Sequence, residues 1–308
     1  MKKPRIGMVG LGNIAQKAYL PILTKEENWE FIGAFSPNNE KRKKICSQYR
    51  IQDFESLDLL AEKSDAVFVH SSTSSHFEVV SYLLNKGKDV YVDKPLAATL
   101  EESEKLTELS MKLNRKLMVG FNRRFCPMYV QAKEQVKNIA LIRFEKHREN
   151  KIGSNSFEFT MLDDYLHLVD TIRWFADGDV SLINGRVQLT HNNQLVYATH
   201  QYESFEGTTI NTVMHRKSGT NLERLEVLSE GSIIRVKNMS NFEVEKNNSI
   251  NNSFSSSWDT TLKQRGFEDC INHFINCIYS DEEPSINGEE ALKSQIIVEE
   301  MIKQAKGW

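Results

Sequence analysis

Short apolar runs alternate with helical periodicities through the first third of the chain. Residues 5–9, 31–35, 66–69, 89–92 and 117–119 are brief hydrophobic stretches bounded by polar or glycine turns, the pattern of buried strands. Between them, residues 15–24, a charged stretch ending at Gln48, and residues 76–85 and 100–113 place apolar side chains at helical spacing. Gly87 stands just past the third of these, where a helix stop is expected. Strands alternating with crossover helices predict a parallel, doubly wound α/β sheet. That pattern stops near Gly120.

The remainder follows a different rhythm. Residues 139–144, 187–189, 196–202, 208–214, 224–228 and 232–236 resemble strands with partial alternation, and no long helical crossovers separate them. This half therefore reads as an α+β domain with a mostly antiparallel sheet. A helix is expected over residues 162–175, and two more over 262–279 and 289–306. The Asn- and Ser-rich residues 247–257 read as a mobile loop. The predicted division is 1–120 for the first domain and 121–308 for the second.

Composition narrows the classes. The 308 residues carry a formal net charge of −3, so no global attraction draws the chain to nucleic acid or to an anionic membrane. No apolar run approaches the roughly 18 residues of a membrane span. The basic start Met1-Lys2-Lys3-Pro4 imitates a signal peptide, but the apolar stretch after it is broken by Gly7, Gly10 and Gly12. The cysteines Cys46, Cys126, Cys270 and Cys277 form no CxxC pair, so no metal site is expected. A cytoplasmic location follows as the default for such a chain.

The first chemical motif lies at the end of the first strand. Gly10-Leu11-Gly12-Asn13-Ile14-Ala15 fits the G-x-G-x-x-G/A fingerprint, and it stands between a predicted strand and a predicted helix. The first glycine permits a tight turn, the second lets backbone approach a pyrophosphate, and the small third residue lets the helix pack on the sheet. Free N–H groups at the helix start, with Asn13 and Ile14, would then face the phosphates. A nicotinamide dinucleotide in a Rossmann domain is the ligand this predicts. The fingerprint also calls for an acid at the end of the second strand, to hold the ribose hydroxyls. Phe35-Ser36-Pro37-Asn38 stands there instead, followed by Lys41, Arg42, Lys43 and Lys44. Nothing repels a 2′-phosphate and Ser36 can hydrogen-bond one, so NADP is mildly favoured over NAD, although the basic run reads equally well as a solvated helix face.

Further motifs define a resemblance that covers essentially the whole chain. Val92-Asp93-Lys94-Pro95 follows the fourth strand, and Asp163-Asp164-Tyr165-Leu166-His167 lies in the second half. With the glycine loop, these resemble the E-K-P and D-x-x-x-H motifs of the Gfo/Idh/MocA oxidoreductases. The stretches 69–76, 119–125 and 163–170 are similar to the MviM-like branch of that family. The resemblance implies a second domain with a large open sheet used for homodimer or homotetramer contacts. It also implies hydride transfer between NAD(P) and a hydroxyl or keto carbon of a sugar, polyol or related small molecule. Lys94, Asp163 and His167 match the motif residues. Two departures stand out: Asp93 replaces the motif glutamate, and Tyr165 stands where the family commonly has glycine, so a reshaped pocket is expected.

The residues themselves support these roles. Oxidising an alcohol releases a proton as hydride leaves, and imidazole titrates near neutrality, so His167 is the candidate acid/base. Asp163 precedes it by one helical turn and can orient it, although such a pair is also an ordinary helix-surface ion pair. Lys94 can hold the substrate oxygen. Ser71, Ser72 and Thr73 follow a strand's carboxyl end and suit cofactor contacts, with helix capping as the plainer reading. His76, Asp93, Lys94 and Arg124 complete the expected cofactor shell; His76 alternatively reads as a surface residue, and Arg123 or Arg124 as an ion-pair former. Leu225 and Val227 are expected on an open apolar sheet face that would drive self-association. Against the enzyme stands a second reading, a catalytically silent NADP(H)-binding regulator; retention of Lys94, Asp163 and His167 favours the enzyme.

Overall fold

The computed structural model describes residues 3–25 and 27–307. They form two compact units. One runs to Phe121 and adds Phe267–Leu292; the other is Asn122–Gly266 with the chain from Lys293 onward.

The first unit is built on five parallel strands, β1 (Arg5–Val9), β2 (Glu30–Phe35), β3 (Ala66–Val69), β4 (Asp89–Val92) and β5 (Leu117–Val119), in the order β2-β1-β3-β4-β5. Parallel neighbours need crossovers. A π-helical turn, Ala15–Tyr19, runs into α1 (Leu20–Leu23) between β1 and β2; α2 (Asn39–Tyr49) and α3 (Leu57–Lys63) precede β3. α4 (His76–Asn85) and α5 (Leu100–Leu113) supply the remaining connections. The Asn38 side chain caps α2, and Thr99 with Glu102 forms a reciprocal capping box on α5. β3 is buried at every position, which is why it reads as an unbroken apolar run. Chain order reverses between β1 and β3, so their carboxyl ends form the switch point where open sheets bind ligands.

The centre of this unit is aromatic. Phe68 and Tyr91 stack at 4.6 Å, and Phe274 meets both edge-on at 5.5 and 5.6 Å. Phe274 lies on the helix Phe267–Ser280, so this contact explains why that late segment belongs with the first sheet. The linear division at residue 120 makes no provision for that return.

The second unit begins with a 3₁₀ turn, Asn122–Phe125, and α6 (Pro127–Gln135). β6 (Ile139–His147) follows, then α7 (Phe157–Thr160), a π turn (Met161–Tyr165) and α8 (Leu166–Phe175). β7 (Val180–Leu189), β8 (Leu195–Ser204), β9 (Thr209–His215), β10 (Leu222–Ser229), β11 (Ser232–Lys237), β12 (Asn241–Lys246) and β13 (Ser249–Phe254) complete its sheet. The eight strands run in the order β13-β12-β11-β10-β6-β9-β8-β7, and among the described residues only β6 and β9 pair in parallel. The helices α9 (Thr261–Gln264), α10 (Phe267–Ser280) and α11 (Gly288–Ala305) close the chain.

α8 packs on β6 and β9. It buries Leu168, Val169, Ile172 and Phe175, while Ile142 and Phe144 of β6 and Ile210 and Met214 of β9 are buried from the sheet side. The other face is laced with ion pairs. Arg235 reaches Glu226, Glu243 and Glu245 at 2.6, 2.6 and 2.9 Å, and Glu145 accepts Arg143 and Arg224 at 2.6 and 2.7 Å.

Several expectations need correction. Leu225 and Val227 are fully buried, so they do not form an open apolar face. Period-2 alternation sends them to the covered side and leaves Arg224 and Glu226 on the other. Within the expected loop 247–257 lies the strand β13, exposed at all six positions. Its polar composition follows from having neither face covered. The helix expected over 262–279 is interrupted at Gly266, whose φ of +77° separates α9 from α10. The helix expected over 162–175 begins earlier, at α7, and contains the π turn.

Candidate active site

Gly10 has φ +92°, a conformation that disfavours any side chain. A Cβ there would also strike the backbone of His70 and Ser71, so the turn after β1 and the end of β3 are in contact. Gly12 differs: a Cβ would meet only the His70 carbonyl, at 3.8 Å, and open space lies in front of it. Asn13 and Ile14 are exposed at the start of the helix, and the Gln16 amide donates to the Leu11 carbonyl at 3.0 Å, bracing the turn. A glycine forced by backbone contact, then a glycine facing free space at a helix start, fits a dinucleotide pyrophosphate.

The end of β3 adds a serine-rich turn. Ser75 donates to the Ser71 hydroxyl at 2.9 Å, Ser72 lies 3.2 and 3.3 Å from the hydroxyls of Ser74 and Ser75, and Thr73 opens a 3₁₀ turn. His76 is buried rather than superficial. Its Nδ1 lies 2.9 Å from the Pro95 carbonyl and its Nε2 3.3 Å from the Ser71 carbonyl. The ring thereby sits between the Lys94-Pro95 turn, joined by a cis peptide bond, and the serine turn; as a neutral imidazole it donates to one of the two carbonyls, the Pro95 carbonyl being the nearer. Asp93, the replacement for glutamate, accepts the Lys94 backbone N–H at 2.9 Å. Lys94 itself is half-buried. Behind the turn, the His70 ring lies tilted against Tyr19 with centroids 3.7 Å apart, and burial together with His76 lowers its pKa well below the usual histidine range.

At the end of β2, Ser36 is buried and the basic run divides. Lys41, Lys43 and Lys44 are exposed, whereas Arg42 turns inward. Its guanidinium donates to the Ser36 carbonyl at 3.1 Å and to Asn39 at 2.9 Å, and pairs with Asp53. Asp53 arrives through a backbone bridge to Ala34, a placement that no spacing in the sequence announces.

The remaining site residues belong to the second unit. The π turn places Asp163 in the open, while His167 is almost buried in the first turn of α8. Asp164, not singled out by its motif, is the anchored acid: it pairs with Lys146 and Arg216 and accepts Arg148 at 3.2 and 3.3 Å. Burial alone would raise its pKa, but Lys146, Arg148 and Arg216 hold it well below the usual carboxylate range. Tyr165 is fully buried in the core, its hydroxyl 2.9 Å from His200 and 2.8 Å from Thr212. Arg124, expected beside the cofactor, forms a buried two-bond pair with Asp170 at 2.9 and 2.6 Å. Arg123 does the same with Glu223 at 2.7 and 2.8 Å, and Tyr129 joins at 3.1 Å. Removing one partner of such a pair costs about 3–5 kcal/mol, so both arginines hold the fold in place.

The Glu223 pair makes stability pH-dependent. Burial would push its carboxyl up, but the charge and hydrogen bonds of Arg123, with Lys146 and Tyr129, bring it down to about 2. Its contribution is full above the ordinary value of 4.5 and is lost as pH falls toward about 2. Asp164 adds the same sign. Acid titration followed by circular dichroism should show stability falling across that window. Glu223→Gln should be less stable at neutral pH and have a flatter acid limb; equal limbs would deny the pair this weight.

The glycine loop, serine turn and Lys94 thus gather at the carboxyl ends of β1, β3 and β4, and Asp163 and His167 share one helical run of the second unit. A fold and site of this kind define a dinucleotide-dependent oxidoreductase, and comparison with known proteins agrees. A family profile described as "Oxidoreductase family, NAD-binding Rossmann fold" matches residues 4–121, and one described as "YceM-like, C-terminal domain" matches residues 127–247. The YceM protein of Salmonella typhimurium is 43% identical over 305 residues, 99% of each chain. The crystal structure of a dehydrogenase, MviM, from Clostridium difficile superposes with a TM-score of 0.96 at 50% identity, covering 98% of this chain and 100% of that one. An inositol 2-dehydrogenase/D-chiro-inositol 3-dehydrogenase of Halalkalibacterium halodurans is 26% identical over 91% of this chain and 85% of its own. The chain belongs to the Gfo/Idh/MocA family of oxidoreductases, and its first unit is an NAD(P)-binding Rossmann domain.

Proposed function

We propose that this oxidoreductase transfers hydride between NADP(H) and a hydroxyl or keto carbon of a sugar, polyol or related small molecule. The observation that carries the reading is the anchoring of the Lys94 turn. His76 and Asp93 fix it beside the serine turn and the glycine loop, where the nicotinamide would supply or accept the hydride. Lys94 then holds the substrate oxygen and stabilises its developing charge, His167 takes or gives the proton, and Asp163 orients the imidazole or the substrate. The inositol dehydrogenase relative supports a polyol-like substrate. A turnover screen by nicotinamide absorbance over sugars, polyols and their keto forms tests the reading. Cofactor binding without turnover of any of them would favour the silent regulator. The four cysteines are buried and none is in a disulfide, which suits work in a reducing cytoplasm. Among the described residues, no helix is long and apolar enough to cross a membrane.

NADP is the preferred cofactor in this reading. Ser36 stands where an acid would repel the 2′-phosphate, and Lys41 and Lys43 are exposed nearby in the sequence. Arg42 contributes less than the sequence implies, because Asp53 neutralises it. Calorimetric titration should show tighter binding of NADP(H) than of NAD(H), with Ser36→Asp reversing the order. Tighter NAD(H) binding by the parent protein would overturn the preference.

We further propose self-association to a homodimer or homotetramer through the ion-paired face of the second unit's sheet. With charged rather than apolar groups on that face, the assembly should weaken as salt rises. Light scattering across ionic strength tests this; a monomer at micromolar concentration in low salt would reject it.

A further inference from the structure

Strand alternation sets the starting point. Ile142, Phe144, Lys146 and Arg148 follow at intervals of two, as do Ile210, Thr212, Met214 and Arg216. Ile142, Phe144, Ile210 and Met214 are fully buried on the face that α8 covers. At the end of that face the apolar residues give way to Lys146, Arg148 and Arg216, with Glu223 of β10 directly opposite Lys146. Lys146 is only 2% exposed. Burying such charge is costly unless it is matched.

The matching is incomplete. Arg123, Lys146, Arg148 and Arg216 face two carboxylates, Asp164 and Glu223. Glu223 is taken up by two nitrogens of Arg123, Nε and Nη2, and by Tyr129, and Asp164 is shared among the other three cations. The Arg148 Nε is buried with no hydrogen-bond partner. Burial, and then the like charges of Arg123 and Arg148 against the pull of Asp164 and Glu223, bring Lys146 down to about 8, the response of an ammonium short of negative charge. Arg148 keeps 31% of its side chain exposed, which leaves an approach from solvent. Asp164 lies in the same π turn as Asp163, three residues before His167, so the surplus is placed beside the residues assigned to proton transfer.

We propose that Lys146, Arg148 and Arg216 bind an anionic group of the substrate, a phosphate ester or a carboxylate carried by the sugar or polyol. This rests on the hydride-transfer reading above and narrows its substrate class to anionic carbohydrates. The guanidinium of Arg148, with an unused Nε, supplies directed donors, and Lys146 supplies a desolvated point charge.

The test uses the full chain saturated with NADP(H), so that added anions do not occupy the phosphate loop. Inorganic phosphate and D-gluconate, titrated calorimetrically, are the two probes and separate the phosphate from the carboxylate arm. Wild type should bind at least one. Arg148→Gln, which leaves Asp164 its pairs with Lys146 and Arg216 and whose folding is checked by circular dichroism, should weaken that binding about tenfold or more. Arg143→Gln, on the opposite face, should not. At pH 8, gluconate binding should take up protons, because a bound anion raises the Lys146 pKa; Lys146→Gln should abolish the uptake. Binding of neither probe, or equal binding by wild type and Arg148→Gln, would overturn the proposal. Turnover of neutral polyols with rejection of their phosphates and acids would also overturn it, while leaving the hydride-transfer reading in place. Anion binding that depends on Arg148 without turnover of any sugar would sustain the anion site and remove the hydride-transfer reading instead.

Discussion

His167→Ala and Lys94→Ala are each expected to lose about a hundredfold to ten-thousandfold in turnover while keeping NADP(H) affinity. Neither side chain belongs to the phosphate loop, so cofactor binding should survive both changes. The two losses should differ in kind. Without His167, no positioned group carries the proton, and kcat/KM should lose the pH limb that an imidazole provides. The main chain at 167 is held by its own bond, the Thr171 hydroxyl donating to the His167 carbonyl at 2.7 Å, so α8 should persist in the variant. Without Lys94, the substrate oxygen loses its cation, and Lys94→Arg should restore little because a planar guanidinium cannot replace a point charge at the same place. The turn that carries Lys94 is fixed by His76 and Asp93 through the Pro95 carbonyl and the Lys94 N–H, both backbone groups, so the alanine variant should keep it. Paired measurement of NADP(H) affinity and turnover decides the matter. Parent-like turnover in both variants would remove the assigned active site and make the silent regulator the better reading.

Gly12→Val should abolish NADP(H) binding with the fold intact, whereas Gly10→Val should cost both. The difference lies in what each new side chain meets. At Gly12 the backbone conformation is ordinary and the added atoms enter free space, the space a pyrophosphate needs. At Gly10 the φ of +92° is unfavourable for any side chain, and the added carbon runs into the main chain of His70 and Ser71, which cannot move without disturbing β3. Thermal unfolding and fluorescence titration with NADPH separate the two effects. A Gly12→Val protein that binds NADPH like the parent would show that the dinucleotide does not use this loop.

The sequence by itself determined the first sheet almost to the residue. β1, β3, β4, β5, α4 and α5 stand where the apolar runs placed them, because a parallel sheet buried on both faces needs continuous hydrophobic strands and helices of regular period. It also determined the glycine loop, since a positive φ and a close backbone approach leave glycine as the residue that fits. Tertiary structure decided matters that depend on partners distant in the chain. The helix Phe267–Ser280 joined the first unit because Phe274 found Phe68 and Tyr91. Arg124 and Arg42 each found an acid brought from elsewhere in the chain, Asp170 and Asp53, and a buried guanidinium is stable only with such a partner. β13 escaped detection because a strand exposed at all six positions carries no hydrophobic alternation. The alternation that sent Leu225 and Val227 inward also carried Lys146, Arg148 and Arg216 to the covered face, but only the packing of α8 established that this was the buried one.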